Sequence, residues 1–248
     1  MRAMILAAGL GTRLRPLTDT RPKALVDVAG RTALEITLTR LRGFDVHEVI
    51  INVYHFANQI LDYLKTKDNF GMHIEISRED ELLDTGGGLK KAGYFFLEDG
   101  SSLDKPFILH NVDVVSNIDL GKMARFHTDN RALATLAIQG RESSRYLLFD
   151  ENLQLCGRRF GADQRDELVR SPKHPQPLAF CGIHIISPRL LTMMIENGAF
   201  SIISAYLRLA AQGEKILAFK ADEYYWRDLG RPENLTQAAQ DLRQRVLM

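Results

Sequence analysis

Apolar positions follow two patterns along this chain, and segments of the two patterns alternate. Short apolar runs rich in β-branched residues predict strands, and segments with apolar residues three or four positions apart predict helices. The predicted strands cover residues 4–8, 47–53, 72–76, 107–112, 132–138, 147–149 and 178–186. The predicted helices cover residues 33–43, 56–65, a segment from the glycines at 86–88 to Phe95, and residues 234–247. This alternation predicts an α/β fold with a mostly parallel sheet covered by helices.

One long segment, residues 158–177, fits neither the strand pattern nor the helix pattern. It is polar and charged and has few apolar anchors. Segments of this composition are typical of surface loops, and long ones often act as lids. We therefore predict either a mobile lid or a plain surface excursion.

Size and charge limit the classes of protein to consider. A chain of 248 residues with 45% hydrophobic content can bury the core of one α/β domain, which we place at residues 1–248. Its 32 basic and 31 acidic residues leave no overall field that favours nucleic acid or an anionic membrane. No apolar run approaches the ~20 residues of a bilayer span, and the opening residues lack a signal-peptide cleavage pattern. We expect a cytoplasmic protein without nucleic-acid or membrane partners, and the sequence does not predict its oligomeric state.

Cysteine and histidine give no sign of a metal centre. Cys156 and Cys181 lie in strand-like segments without metal-ligand spacing, so we expect buried free thiols rather than a disulfide or a catalytic pair. The seven histidines form no ligand pattern, and His110 and His184 lie in apolar strands. We expect these two to be core residues.

The loop after the first predicted strand is rich in small residues. Small residues let the backbone approach a ligand, and the N–H groups of the turn can then point at phosphate oxygens. The small residues are Ala7, Ala8, Gly9 and Gly11. Arg13 adds a permanently charged fork suited to a polyphosphate. Leu14 occupies the third glycine position of a dinucleotide fingerprint, and no P-loop motif follows. The alternative is a glycine turn with exposed arginines.

Lys23 follows Pro22 and enters an apolar stretch. Held in this way, its ammonium could contact a phosphate from the side opposite the arginines. The alternative is a solvated surface lysine.

Two aspartates are candidate metal ligands. Asp113 follows the apolar strand that ends near Asn111, and ligands of open α/β sheets bind outside the carboxyl ends of strands. Asp228 lies in a Trp-Arg-Asp-Leu-Gly segment. One or two carboxylates with phosphate oxygens suit Mg²⁺. The alternative for each aspartate is a strand-end or turn cap.

The glycine run at residues 86–88 opens a predicted helix. Glycines there would let a flat base or a sugar lie on the main chain, whose polar groups could read its edges. The alternative is a glycine-rich loop without a ligand.

Six segments together resemble the sugar-1-phosphate nucleotidyltransferase family. They appear in the family's order over most of the chain, and the first two are the most specific. The segments are residues 4–17, 22–26, 85–87, 111–113, 180–183 and 226–230. The wording of the glycine segment, Leu-Asp-Thr-Gly-Gly-Gly, looks most like short members that act on N-acetylmuramate 1-phosphate or on mannose and heptose 1-phosphates.

The resemblance implies a Rossmann-like fold of the nucleotide-diphospho-sugar transferase type. It also implies a reaction between a nucleoside triphosphate and a sugar 1-phosphate that releases pyrophosphate. The residues that the resemblance places around the nucleotide are Ala7, Ala8, Gly9, Thr85, Gly86 and Gly87. Those on the phosphates are Gly11, Thr12, Arg13 and Lys23, of which Arg13 and Lys23 would be catalytic together with Asp113. Those beside the sugar are Asn111 and Gly182, and those on Mg²⁺ are Asp113 and Asp228.

Two departures from the family pattern concern the sugar side of the site. Val112 stands where the family usually has glycine, so a side chain would crowd the ligand if position 112 faces it. No Glu-Lys-Pro motif precedes Phe180, and Lys173 is a poor substitute. Two other functions stay open: a glycosyltransferase that binds a nucleotide sugar through a metal on Asp113, and a nucleotide-sugar binding protein without turnover.

Overall fold

The computed structural model describes residues 1–97, 105–160 and 165–244. The strands are β1 (Arg2–Leu6), β2 (Asp27–Val28), β3 (Arg31–Thr32), β4 (Glu48–Val53), β5 (His73–Arg78), β6 (Phe107–Asn111), β7 (Val114–Ser116), β8 (Ala134–Gln139), β9 (Arg145–Phe149), β10 (Leu155–Phe160), β11 (Arg165–Leu168), β12 (Gln176–Ile186), β13 (Ile216–Lys220) and β14 (Trp226–Asp228). The helices are α1 (Ala33–Gly43), α2 (Ala57–Thr66), α3 (Asp84–Lys91), α4 (Tyr94–Leu97), α5 (Leu120–Asp129), α6 (Arg189–Thr192), α7 (Ile202–Ala211) and α8 (Pro232–Arg243). Within this part of the chain, no helix is long and apolar enough to cross a bilayer.

The main sheet is mixed. Its principal order is β11-β10-β9-β12-β6-β1-β4-β5, with β8 paired to β12 and β13 paired to β8. The run β6-β1-β4-β5 is parallel, and β12 joins it antiparallel to β6. The carboxyl ends of β1, β4, β5 and β6 therefore meet at one edge, where open α/β sheets bind ligands.

Helices cover both faces of this sheet, as predicted. On β1, Ala3 and Ile5 belong to a core that also contains apolar residues of α1, α2 and α5. Met4, between them, belongs to the opposite core with residues of α3 and α7. Because side chains alternate across a strand, β1 is buried on both faces, and its sequence is apolar from Ala3 to Leu6. This confirms the predicted fold class.

A third group of apolar residues lies beside the sheet edge, and we name it the loop cluster. It joins the loop after β1 to the β7–β14 ribbon and to α8. Its buried members are Leu14, Val26, Val28, Ala33, Ile36, Val115, Leu229, Leu235 and Ala238. This packing fixes the loop after β1 relative to β14.

Residues 158–177, predicted from their composition as a mobile lid or a plain surface excursion, include strands in their described part. The described part of this segment contains the end of β10, the strand β11 and the start of β12. Strands β10 and β11 pair antiparallel, and their charged side chains face each other in pairs such as Arg158 with Glu167 at 2.7 Å. An exposed edge hairpin needs no apolar positions because cross-strand charge pairs can occupy its surface. Residues 161–164 lie outside the described residues.

Two helices differ from their predicted bounds by more than one residue. The helix expected from the glycines to Phe95 is divided into α3 and α4, which are separated at Ala92 and Gly93. The last helix is α8, Pro232–Arg243, whereas residues 245–247 of the prediction lie outside the described residues.

Candidate active site

A cavity of about 460 Å³ opens at the carboxyl edge of the parallel strands. Its walls come from the ends of β1, β4 and β6, from the turn that holds Lys23, and from the start of α3. The lining residues are Leu6, Ala8, Gly9, Lys23, Asn52, Leu82, Asp84, Thr85, Asn111, Val112, Asp113 and Ala199. The cavity thus gathers six of the predicted site residues, namely Ala8, Gly9, Lys23, Thr85, Asn111 and Asp113.

Lys23 is not a solvated surface lysine. Its Nζ donates to Asp113 Oδ2, and the two side chains are only 12% and 18% exposed. Pro22 is extended and Lys23 opens a short 3-10 turn, which aims the side chain at the end of β6. A cation and a carboxylate from distant segments are therefore paired at the mouth of the cavity.

Backbone pairing brings the segment of Asp228 next to the segment of Asp113. Strand β14 runs antiparallel to β7 with Asp228 opposite Val114, and the Leu229 N–H donates to the Asp113 carbonyl at 2.8 Å. The Gly230 N–H donates to Asp228 Oδ1. Asp228 thus ends β14 and Asp113 directly precedes β7, so the two predicted metal ligands lie at the same end of one small ribbon.

The Arg13 guanidinium and the Asp228 carboxylate both lie close to Gly230. A Cβ built at Gly230 would stand 2.5 Å from Asp228 Oδ1 and 2.6 Å from Arg13 Nη2. A residue larger than glycine would therefore push the guanidinium and the carboxylate apart. Arg13 and Asp228, outside the lining of the cavity, flank its charged end.

The turn that carries Arg13 depends on Gly11. Its φ is +64°, in the left-handed region, and a Cβ there would stand 2.9 Å from Thr18 Cγ2. The Thr18 hydroxyl donates to the Gly11 carbonyl at 2.9 Å. Thr12 follows on the surface and begins a 3-10 turn. Gly11 and Thr12 thus shape the loop that holds Arg13.

The glycines of α3 have a different role from the one expected. The amides of Gly86 and Gly87 donate to the Phe200 carbonyl at 2.8 and 3.3 Å. A Cβ at Gly86 would overlap the Phe200 ring, and one at Gly87 would overlap the Gly198 carbonyl. The N–H groups that we expected to face a base are used within the protein, and both glycines permit close packing of α3.

Thr85 lines the cavity, and its hydroxyl is also used within the protein. Its Oγ1 accepts from the Ile202 amide at 3.0 Å. The start of α3 is thereby tied to the start of α7.

Gly182 lies at a register shift in β12 with φ +73°. A Cβ there would stand 2.9 Å from Asn111 Nδ2, so the glycine lets β12 approach the end of β6.

Trp226 contacts the same part of β12, where its Nε1–H donates to the Cys181 carbonyl at 2.7 Å. The Arg141 guanidinium stacks 3.7 Å from the centre of the Trp226 ring. Sequence reasoning did not identify Arg141, because nothing in its local sequence indicates this stacking.

Val112 is a core residue at the edge of the cavity. It is 3% exposed and packs in the same core as Ile5 and Ile108. Its amide donates to the Leu6 carbonyl at 3.1 Å. The side chain therefore fills the floor beneath the site.

Asn52 and Glu79 are polar groups of the site that the sequence reasoning missed. Asn52 Oδ1 accepts from the Ala7 amide at 2.8 Å, and Asn52 Nδ2 donates to Glu79 Oε1 at 2.7 Å. Glu79 Oε2 accepts from the Leu83 amide at 3.0 Å. The signal that could have found them is the one that found Asp113, a polar residue at the carboxyl end of an apolar strand.

The remaining candidate groups are structural. Burial lowers the pKa of His110 and of His184 to about 3, and the nearby Arg40 contributes to the shift of the His110 pKa. Cys156 and Cys181 are buried free thiols, and burial raises their pKa values to about 11 and about 12. The free buried thiols are confirmed. Both histidines are core residues, as expected, and His184 Nδ1 bonds the Tyr206 hydroxyl at 2.9 Å, whereas His110 Nε2 has no hydrogen-bond partner among the described residues.

The sequence matches the nucleotidyl transferase family over residues 2–245. This chain belongs to that family. It is 33% identical over 240 residues to N-acetylmuramate alpha-1-phosphate uridylyltransferase of Caulobacter vibrioides, covering 93% of this chain and 92% of that protein. It is 30% identical over 237 residues to mannose-1-phosphate guanyltransferase of Yarrowia lipolytica, covering 94% of this chain and 62% of the longer relative.

Solved structures share the fold. HddC from Yersinia pseudotuberculosis complexed with GMP-PN aligns with a TM-score of 0.75 at 22% identity, over 97% of this chain and 99% of that one. UDP-glucose pyrophosphorylase complexed with UDP-glucose aligns with a TM-score of 0.75 at 18% identity, over 98% of each chain. The family match and the relative covered over nearly its full length make the chain a sugar-1-phosphate nucleotidyltransferase and favour this activity over the two alternatives.

Proposed function

We propose that this enzyme binds a nucleoside triphosphate in the 460 Å³ cavity and transfers its nucleotidyl group to a sugar 1-phosphate. The observation that carries the proposal is the paired Lys23 and Asp113 at the mouth of the cavity, with Asp228 at the end of β14, opposite Val114. UTP and N-acetylmuramate 1-phosphate are the first pair to test, because the relative that matches over nearly the full length of both chains carries that name.

The carboxylates suit Mg²⁺. Asp113 and Asp228 supply hard oxygen donors, and no group of three or more His, Cys, Asp or Glu side chains forms a metal cluster among the described residues. Mg²⁺ typically takes one or two carboxylates and completes its shell with phosphate oxygens and water. When bound, the ion would neutralise charge on the phosphates. This donor set therefore fits Mg²⁺ bound together with its nucleotide.

The chemistry needs alignment more than proton transfer. An oxygen of the sugar 1-phosphate forms a bond to the α-phosphorus, the bond from that phosphorus to the bridging oxygen breaks, and pyrophosphate leaves. The attacking oxygen is already anionic, so no general base is required. We assign Lys23 to the reacting phosphates and Arg13 to the leaving pyrophosphate. Backbone at Ala8 and Gly9 lies against the nucleotide, and Gly182 and Asn111 lie beside the sugar.

The test is pyrophosphate release with each of the four nucleoside triphosphates and a panel of sugar 1-phosphates. We expect one preferred pair in wild type and a loss of roughly a hundredfold or more in Asp113→Asn, the usual effect of removing one preorganised charged group. Asp166→Asn is the matched control, because Asp166 pairs with Arg159 on the surface hairpin. Binding of nucleotide sugars without pyrophosphate release from any pair would instead support a binding protein.

A further inference from the structure

Three hydrogen bonds cross the floor of the cavity in one continuous line. The Ala7 N–H donates to Asn52 Oδ1, Asn52 Nδ2 donates to Glu79 Oε1, and the Leu83 N–H donates to Glu79 Oε2. The line starts at the backbone of the loop after β1 and ends at the backbone before α3. We name these two side chains, Asn52 and Glu79, the strap.

The polarity of the strap is fixed by its partners. A backbone N–H can bond only an acceptor, so Asn52 must turn its oxygen to Ala7 and its nitrogen to Glu79. Asn52 is 2% exposed and Glu79 is 4% exposed. Glu79 makes no ion pair with any lysine, arginine or histidine in the described ranges. Its charge is met by donors at both of its oxygens, so neither oxygen is left without a partner.

Gly88 leaves room for the strap. A Cβ built at Gly88 would stand 2.7 Å from Asn52 Nδ2 and 2.8 Å from Glu79 Oε1. The third glycine of α3 is therefore required where the helix passes over the junction of the two side chains. The helix, the strap and the strand ends form one packed unit.

The strap connects the two walls of the cavity. One wall is the loop with Ala8 and Gly9, directly after Ala7, and the other contains Leu82 and Asp84, on either side of Leu83. We propose that Asn52 and Glu79 are positioning residues that set the spacing between these walls for the nucleotide. This inference rests on the proposed function, which places the nucleotide in this cavity.

The test is an exchange of polarity within the strap. In Asn52→Asp two carboxylate oxygens face each other, and in Glu79→Gln one amide N–H₂ faces another donor. In the double variant N52D/E79Q the aspartate accepts from Ala7 and from the glutamine amide, and the glutamine oxygen accepts from Leu83. All three hydrogen bonds and the net charge are restored.

We expect each single variant to weaken nucleoside triphosphate binding, measured by calorimetry, by roughly tenfold or more, because each leaves a buried polar group without a partner. The KM for the nucleotide should rise, and the KM for the sugar 1-phosphate should stay within about twofold. The double variant should return to within about threefold of wild type. Thr135→Val is the control: it removes a buried hydrogen bond to His127, remote from the cavity, and should lower the melting temperature without changing nucleotide affinity.

Either of two results would overturn the proposed positioning role of the strap. One is that the single variants bind nucleotide as tightly as wild type, and the other is that the double variant binds it as weakly as the single variants. Because affinity is measured without turnover, these results are separable from failure of the proposed function. A wild-type protein that binds nucleotide but releases no pyrophosphate with any sugar 1-phosphate would contradict only the proposed function.

Discussion

Replacing Lys23 by methionine should change metal affinity and turnover in opposite directions. Before ligands bind, Lys23 Nζ occupies Asp113 Oδ2, and the side chains are 12% and 18% exposed. Two unit charges about 4 Å apart attract by about 4 kcal/mol at an effective dielectric constant of about 20. Part of this attraction opposes a divalent ion that competes for the same carboxylate. Removing the ammonium should therefore tighten binding of Mn²⁺ to the free enzyme, by about 1–3 kcal/mol or roughly 5- to 160-fold.

Turnover should fall in the same variant. Lys23 is assigned to the reacting phosphates, and loss of one preorganised cation there costs about 3 kcal/mol, or roughly a hundredfold in kcat. The assays are Mn²⁺ titration without nucleotide and pyrophosphate release with it. Lys65→Met, on the exposed side of α2, makes the same change in net charge and serves as the control. Unchanged or weaker Mn²⁺ affinity in Lys23→Met would refute the idea that Lys23 competes with the metal ion for Asp113. Unchanged turnover would show that Lys23 takes no part in the reaction.

Three further predictions follow from the charged end, the floor and the core of the site. Arg13→Ala should weaken triphosphate binding far more than binding of the nucleotide-sugar product, which lacks the β- and γ-phosphates, and calorimetry showing equal losses would contradict this. Val112→Gly should cost about 2–3 kcal/mol of stability through backbone entropy and lost packing, with an unchanged ranking of sugar 1-phosphates in kcat/KM. Burial lowers the pKa of His127 to about 4 and those of His110 and His184 to about 3, so only the unfolded chain binds their protons as pH falls below about 6.5. Stability measured by chemical unfolding should therefore be full above about pH 6.5 and fall between about pH 6.5 and 4 by up to about 1.4 kcal/mol per pH unit for each histidine. In that pH range His127→Gln should reduce the histidine contribution to the slope by about a third.

Local signals predicted some elements closely. Helix α1 has the predicted bounds because Thr32 caps it, accepting from the Glu35 amide at 3.0 Å, in a Thr-x-x-Glu arrangement that is visible in the sequence. The hairpin of β10 and β11 has no comparable signal. Its pairing depends on charges that meet only after the chain has turned back, so composition alone indicated a loop.

The site shows the same division. Strand-end reasoning identified Asp113, and the structure places it against Lys23. The role of Gly86 could not be predicted, because its partner Phe200 lies 114 residues away in sequence and no local pattern joins them. Asn52 and Glu79 were missed for a related reason. Asn52 lies near the end of β4 and Glu79 directly follows β5, and a single polar residue at a strand end resembles an ordinary cap until its partner is known.

The loop cluster couples the attachment of α8 to the positions of charged residues at the site. Leu14, next to Arg13, and Leu229, next to Asp228, are buried together with Leu235 and Ala238 of α8. Detachment of α8 would therefore loosen Arg13 and Asp228 at the same time. A ligand that holds these two groups binds the attached state and raises the free energy of local opening by RT ln(1 + [L]/Kd). Amide hydrogens of α8, which touch no part of the cavity, should consequently exchange more slowly with solvent when nucleotide is bound.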